Sequence, residues 1–427
     1  MRRVVISGLG VVAPNGVGKE AFWSACCEGI SGVGPIRSFD ASRFPVRIAG
    51  EVVDFDVTPF LPTEHRKSAK IMSRSTKFAV GAAGLALRDA GFDGNWSDPS
   101  RIGVCMGTGV VPIDLPELAP ALGYAMADGQ FQPDRLGEHG PSSVAPMWIL
   151  KYLPNMVAAH ISMACNAQGP NSTITTACVA GTQAIGEAFR LIARGDADVM
   201  LAGGADSRID PLMLLAYSAL GAVSRSNRPA SEVSRPFDRG RDGFVLGEGA
   251  GVLVLEEAAH ARRRGAPIYA EIRGFGSSFD AFSITKPDPE ARGAARAIQA
   301  ALNEARVDHR DVDYINAHGT STRLNDEMET AAVKRVFGEH ARSLPLSSIK
   351  SMIGHLIGAA GAVEAVALAM TLSQGVVPPT INLTDPDPAC DLDYVPLAAR
   401  DYPTRTAVST SFGFGGQNGA LVMQSWN

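Results

Sequence analysis

Cysteine is sparse in this chain and badly spaced for any covalent scaffold. The six residues (Cys26, Cys27, Cys105, Cys165, Cys178 and Cys390) include one adjacent pair and no C-x-x-C. Structural zinc and a disulfide framework are therefore not expected, and a reducing cytoplasm is. Charge is also thin, at 19% of residues with a net of −5, which leaves no global attraction to nucleic acid or anionic lipid. Long apolar runs are missing: no stretch approaches the ~18 residues of a membrane span. The opening MRRVVISGLGVVAPNG puts two arginines before an apolar run, but Gly8, Gly10, Pro14 and Asn15 break it. A first strand, roughly Arg3 to Gly8, is expected there in place of a signal peptide.

What is present is an alternation of two segment types. RIGVCMGTG, DVMLAGGAD, AGVLVLEEA, VDYINAHG and AVSTSFGFGG read as short buried strands that end in glycine. KFAVGAAGLALRDAG, QAIGEAFRLIARG, GAARAIQAALNEA and AVEAVALAMTLSQG carry apolar residues at helical spacing and also end in glycine. The alternation predicts an α/β fold. A weak repeat is visible: Cys178 is followed by Gly181 and Glu187, and His355 by Gly358 and Glu364, at the same spacings. Two duplicated halves are expected, 1–265 and 266–427, with the seam near HARRRGAPIYAEI. The proline-rich segment from Pro112 to Pro154 reads as an irregular excursion serving as a lid, a pocket wall or a subunit contact.

Three residues carry the chemistry. Cys178, in ITTACVAGTQAIGEA, lies between a strand and a helix. A thiol at a helix N-terminus is expected to have its pKa lowered, and the amides there can hold a developing oxyanion. His318, in YINAHGTSTRLNDEMET, ends an apolar strand, and His355, in SSIKSMIGHLIGAAGAVEA, follows Lys350. Two imidazoles aimed at one thiol would supply two N–H donors to an enolate oxygen. As metal ligands they lack a third partner at suitable spacing. The other five cysteines read as core residues. His65, His139, His160, His260, His309 and His340 read as surface or structural.

With these motifs the chain resembles the β-ketoacyl-acyl carrier protein synthases, elongating condensing enzymes of the thiolase-like superfamily, most of all the synthase II type. The likeness runs from VVISGLGVVAPNG through SRPFDRGRDGFVLGEGAGVLVLEE, NAHGTSTRLND and KSMIGHLIGAAGAVEA to STSFGFGGQNGALV. It implies a duplicated five-layer αβαβα sandwich with two mixed five-stranded sheets. It implies that Cys178 is acylated, and that His318 and His355 stabilise the enolate left when malonyl-ACP loses carbon dioxide. Lys350 and Glu329 would be a charged pair organising the histidine loops. Phe414 would be a gate whose N–H completes an oxyanion hole with that of Cys178. Thr320 and Thr322 would contact the phosphopantetheine arm, and Val110 would line the acyl tunnel. No cofactor or metal is implied, since the substrates ride on the carrier protein.

A homodimer is expected from the resemblance, with its interface on NSTITTACVA and the excursion before it. The acidic carrier protein calls for a basic dock. HRKSAKIMSRSTK would place Lys67, Lys70, Arg74 and Lys77 on one helical face, with Arg225 and Arg228 as further candidates. The TRLNDEMET and CDLDYVPLAAR runs lean toward type II polyketide or polyene pathways, which leaves chain length and pathway open. The other reading is a non-elongating or partner subunit of a condensing-enzyme heterodimer, against which Cys178, His318, Lys350 and His355 all stand. A dinucleotide fingerprint in GLGVVA is weak because Pro14 and Gly16 interrupt the helix it needs. DPDPACDLDY lacks the central glycine of a calcium loop.

Overall fold

The computed structural model describes residues 2–92 and 96–426; the side chain of His139 lies outside the described residues. The N-terminal half runs β1 (Val4–Ala13), α1 (Arg74–Asp89), β2 (Ile102–Gly107), α2 (Met156–Cys165), β3 (Asn171–Ile174), α3 (Ala180–Arg194), β4 (Val199–Asp206) and β5 (Gly249–Glu257). The C-terminal half repeats the plan with β6 (Ala270–Phe279), α4 (Arg292–Ala305), β7 (Tyr314–Asn316), α5 (Arg323–Phe337), β8 (Leu346–Ser347), α6 (Ala360–Gln374), β9 (Thr406–Phe412) and β10 (Gln417–Ser425).

Strand order is β3-β2-β4-β5-β1 in one half and β8-β7-β9-β10-β6 in the other, with the same parallel and antiparallel pairings in each. The two sheets were expected to be separate. Their edge strands instead meet antiparallel over three residue pairs, Val4–Ile6 against Ala270–Ile272, and join them into one. Both edges carry free backbone groups at that point, and pairing them satisfies both.

Helices α3 and α6 touch strands of both sheets and form the middle layer. Outside lie α1 and α2 on one sheet and α4 on the other. Close approach in the middle layer depends on glycine: a Cβ on Gly361 would fall 2.0 Å from Thr182 Oγ1, and one on Gly181 would fall 3.0 Å from Gly358 O. The helices α3 and α6 align from their first residues, Ala180 and Ala360, and both end on a left-handed glycine, Gly195 and Gly375. Cys178 therefore matches Gly358. The expected match with His355 is out of register, because Gly181 aligns with Gly361 and not with Gly358, which lies three residues earlier in the preceding turn.

Ile357–Gln374, 18 residues long with mean hydropathy 1.3, is apolar enough to cross a membrane by composition, contrary to the expectation above. It is 89% buried, because as part of the middle layer it faces a sheet on both sides. The glycines of the N-terminal fingerprint lie inside β1 and not in a phosphate-binding turn. A Cβ on Gly8 would fall 2.3 Å from Ala86 O, and one on Gly10 1.9 Å from Ala82 O, so they let α1 pack on the strand. The excursion is more regular than its prolines suggested. It holds helices Leu115–Ala125, Pro133–Ser143 and Trp148–Tyr152, and two of its prolines sit in first turns, where no N–H is needed.

Candidate active site

Cys178 occupies a short 3₁₀ turn, Ala177–Val179, that runs into α3; Ile357–Ala359 does the same ahead of α6. Ala177 (φ 51°) and Ile357 (φ 46°) are left-handed at matching positions. Non-glycine residues adopt that conformation only when the surroundings enforce it. The two turns face one another across the middle layer, and His318, at the end of β7, completes the cluster.

The three chemical groups meet as the residue types required. His355 Nε2 lies 3.0 Å from Cys178 Sγ, and the rings of His318 and His355 are edge to face at 5.3 Å between centroids. Tautomers follow from the hydrogen bonds. His355 Nδ1 accepts the Ile357 N–H at 3.3 Å, and His318 Nδ1 faces the Lys350 ammonium at 3.4 Å. Each Nδ1 is thus an acceptor, so each Nε2 carries the proton. Burial, with Lys350 nearby, holds both imidazoles well below the usual 6.5, and both are neutral donors at neutral pH.

Sequence spacing offered the two histidines no third metal ligand, but the fold supplies Cys178: its sulfur and one nitrogen of each ring lie within 4.8 Å of one another. The tautomers oppose that use, because a metal would need the Nε2 lone pairs that the protons occupy.

The thiol departs from expectation. Burial pushes Cys178 up to about 11, while Arg208, Lys350 and the Phe414 amide pull the other way. Desolvation of a buried thiolate here outweighs the stabilisation offered by the helix terminus. The five other cysteines are free thiols, and burial raises each of them as well.

Lys350 and Glu329 are not a direct pair. Lys350 Nζ bonds to Glu364 and donates to His318 O at 2.6 Å. Glu329 instead gathers the loop backbone, accepting from His318 N at 2.8 Å, Gly319 N at 2.7 Å and Thr410 Oγ1 at 2.7 Å. The two acids divide the work from different elements, Glu329 on α5 and Glu364 on α6. Glu364 was visible only as a spacing in the repeat, and nothing in the sequence marked its role.

A cavity of about 530 Å³ opens onto the cluster and is lined by Cys178, His318, His355, Thr320, Thr322 and Phe414 among others. The two threonine hydroxyls lie 2.9 Å apart. Phe414 is 37% exposed in the loop between β9 and β10, where Gly415 and Gly416 take φ of 91° and 92°. Val110 stands apart: it is 62% exposed and is not among the cavity's lining residues, because its neighbour Val111 is the one whose side chain is buried here.

The basic face is split as well. Lys67 and Lys70 are exposed on a 3₁₀ helix, Thr63–Ile71, which stops before α1 begins on its Ser73 cap. Arg74 is held by Glu248 (Nε–Oε2 2.7 Å) and Lys77 is half-buried, so neither extends the face. Arg225 and Arg228 are exposed, and Arg225 donates to Ser218 O at 2.9 Å. The acidic run near the C-terminus is already neutralised: Asp385, Asp387, Asp391 and Asp393 pair with Arg239, Arg241, Lys334 and Arg400.

Neutral histidines imply a pH signature. A Cys178→Gln variant that decarboxylates malonyl thioester should hold its rate as pH falls from 8 to about 6, since the depressed imidazoles protonate only below the ordinary value. An acid limb centred at or above 6.5 in that variant would show that the rings are not held neutral.

Comparison with known proteins places this geometry. Residues 1–261 match the family description "Beta-ketoacyl synthase, N-terminal domain", and residues 269–384 match "Beta-ketoacyl synthase, C-terminal domain". A 3-oxoacyl-[acyl-carrier-protein] synthase 2 of Coxiella burnetii is 44% identical over 99% of this chain and 98% of its own. Among solved structures, a type II PKS acyl-carrier protein in complex with its ketosynthase, bound to the hexaketide, aligns with TM-score 0.88 at 36% identity over the whole of both chains. The ishigamide ketosynthase/chain length factor aligns with TM-score 0.88 at 33% identity, also over the whole of both chains.

Proposed function

The chain belongs to the β-ketoacyl synthase family, and from that premise we propose how its residues carry out decarboxylative Claisen condensation on acyl carrier protein substrates. The Cys178 sulfur attacks the acyl thioester of the carrier, the carrier thiol leaves with a proton, and the acyl group rests on Cys178. Malonyl-ACP then enters the cavity past Phe414, its arm laid along Thr320 and Thr322. As the carboxylate leaves as carbon dioxide, the bonding pair moves into an enolate. Its oxygen accepts from Nε2–H of His318 and His355. The enolate carbon attacks the Cys178 thioester, and the amides of Cys178 and Phe414 hold the resulting oxyanion. Collapse breaks the carbon–sulfur bond and releases β-ketoacyl-ACP. Lys350, Glu364 and Glu329 position the histidine loop.

The observation that carries this reading is the meeting of one thiol with two imidazoles, the sulfur and one nitrogen of each ring lying within 4.8 Å of one another, at an open cavity. The reading needs no metal or redox group. Mass spectrometry of the Cys178 peptide after incubation with acyl-ACP tests it; an unmodified peptide would overturn it.

The family matches stop at 261 and resume at 269, which supports dividing the chain into halves at 265/266. A cytoplasmic location is in keeping with six free thiols. Homodimerisation is supported by β3, the outermost strand of its sheet, with Asn171 and Ser172 exposed. The excursion that precedes it in the chain exposes Leu115, Tyr124, Met126, Phe131, Met147 and Ile149. Such a free edge and apolar surface are normally covered. Sedimentation should give a dimer at micromolar concentration, and a stable monomer would remove this assignment.

Carrier docking falls to Lys67 and Lys70, with Arg225 and Arg228 near the cavity mouth. Reversing the charge of Lys67 and Lys70 should raise KM for acyl-ACP by roughly tenfold at low salt and spare small thioesters. An equal response of both substrate types would place the dock elsewhere.

A further inference from the structure

Outside the lining of the access cavity, the packing near Cys178 includes a buried cation that plays no part in the steps above. Arg208, just past β4, is 8% exposed. Its Nε lies 3.1 Å from Asp206 Oδ1, and its Nη1 donates to Tyr217 Oη at 2.6 Å. Asp206 also accepts the Gly358 N–H at 2.9 Å, which ties the ion pair to the turn that follows His355. The Tyr217 ring lies 5.9 Å from Phe244, which in turn lies 5.4 Å from His355. Tyr217 packs against the apolar cluster that contains Cys178, Phe244 and Ile357.

Among the described residues, Arg208 Nη2 has no hydrogen-bond partner. It lies against Gly109, where a Cβ would fall only 1.6 Å away, so glycine at 109 makes room for the guanidinium. The cation is near enough to lower the pKa of both Cys178 and His355. A buried guanidinium with unused donors is costly beside hydrocarbon and favourable beside an acceptor oxygen. Tyr217 points the same way: its oxygen accepts from Nη1, so its own proton is free to donate.

We propose that Arg208 and Tyr217 select the acyl group held on Cys178, favouring chains that carry a hydrogen-bond-accepting oxygen, such as the keto carbonyl of an unreduced chain, over plain alkyl chains. This rests on Cys178 being the acylated residue. An alkyl chain laid along this wall leaves the Nη2 donors desolvated and unpaired. A keto oxygen satisfies them, and Tyr217 offers a second donor. The reaction that supplies the preferred substrate therefore leaves the chain's oxygen in place.

The test is a competition between octanoyl-ACP and 5-oxooctanoyl-ACP at equal concentration, read as the ratio of the two acyl masses on the Cys178 peptide. The wild type should favour the oxo chain by roughly tenfold or more, the discrimination expected for a hydrogen bond to a charged donor. Tyr217→Phe, which leaves the ion pair intact, should lower that ratio. The double variant Asp206→Asn/Arg208→Met, which strands no buried carboxylate, should bring it to one or below. A wild-type ratio near one, or ratios unchanged in both variants, would overturn the proposal while the acylation itself still upholds Cys178 as the nucleophile. No acylation by either substrate would overturn both.

Discussion

Replacing Cys178 by alanine should lower condensation by at least about a thousandfold, because among the described residues no other cysteine lines the cavity to carry the covalent route. The substitution removes one buried sulfur and leaves the two imidazoles in place, so the folded protein should still bind carrier protein. Cys178→Gln should separate the half-reactions. Its amide fills the space of an acylated cysteine, while decarboxylation, which depends on the histidines, continues. The measurement is product β-ketoacyl-ACP alongside released carbon dioxide. Condensation near the wild-type rate in Cys178→Ala would disprove the mechanism outright.

The second large effect concerns the enolate. Removing either Nε2–H donor, by His318→Ala or His355→Ala, should slow malonyl decarboxylation by about 10²–10³-fold, the usual loss for one oxyanion donor. The double variant should lose little beyond the worse single, since two donors to one oxygen act as a unit. Acyl transfer to Cys178 should separate the pair: His355, at 3.0 Å from the sulfur, should affect it more than His318. Equal loss of transfer in both variants would mean that the histidines do not divide these roles.

The electrostatics explain why these rings serve as donors and not as bases. Lys350 faces His318 Nδ1, and a backbone amide faces His355 Nδ1. A general base needs a free lone pair at Nε2, and the fold withholds it from both. The thiol, raised to about 11 by burial, is then drawn toward its anion by the His355 N–H, the Phe414 amide and the nearby cations as the acyl carrier displaces water.

Much of this protein was legible in its sequence. Glycine-stopped strands alternating with glycine-capped helices dictate an α/β chain, and Cys178, His318 and His355 announce themselves because each sits in a small-residue turn at a strand or helix end. Such local signals survive because turn geometry depends on a few neighbouring residues. What depends on distant contacts was decided only by the tertiary structure. The partner of Lys350 is Glu364, because α6 brings it inward while Glu329 is occupied by the His318 loop backbone. The Cys178 thiol is raised, because burial is a property of the whole packed layer and not of the helix that follows it. The basic stretch breaks at Ser73, where a new helix must cap itself. Arg208 carries no motif at all; only the packing of β4 against the turn at Gly358 brings its guanidinium within electrostatic reach of the nucleophile.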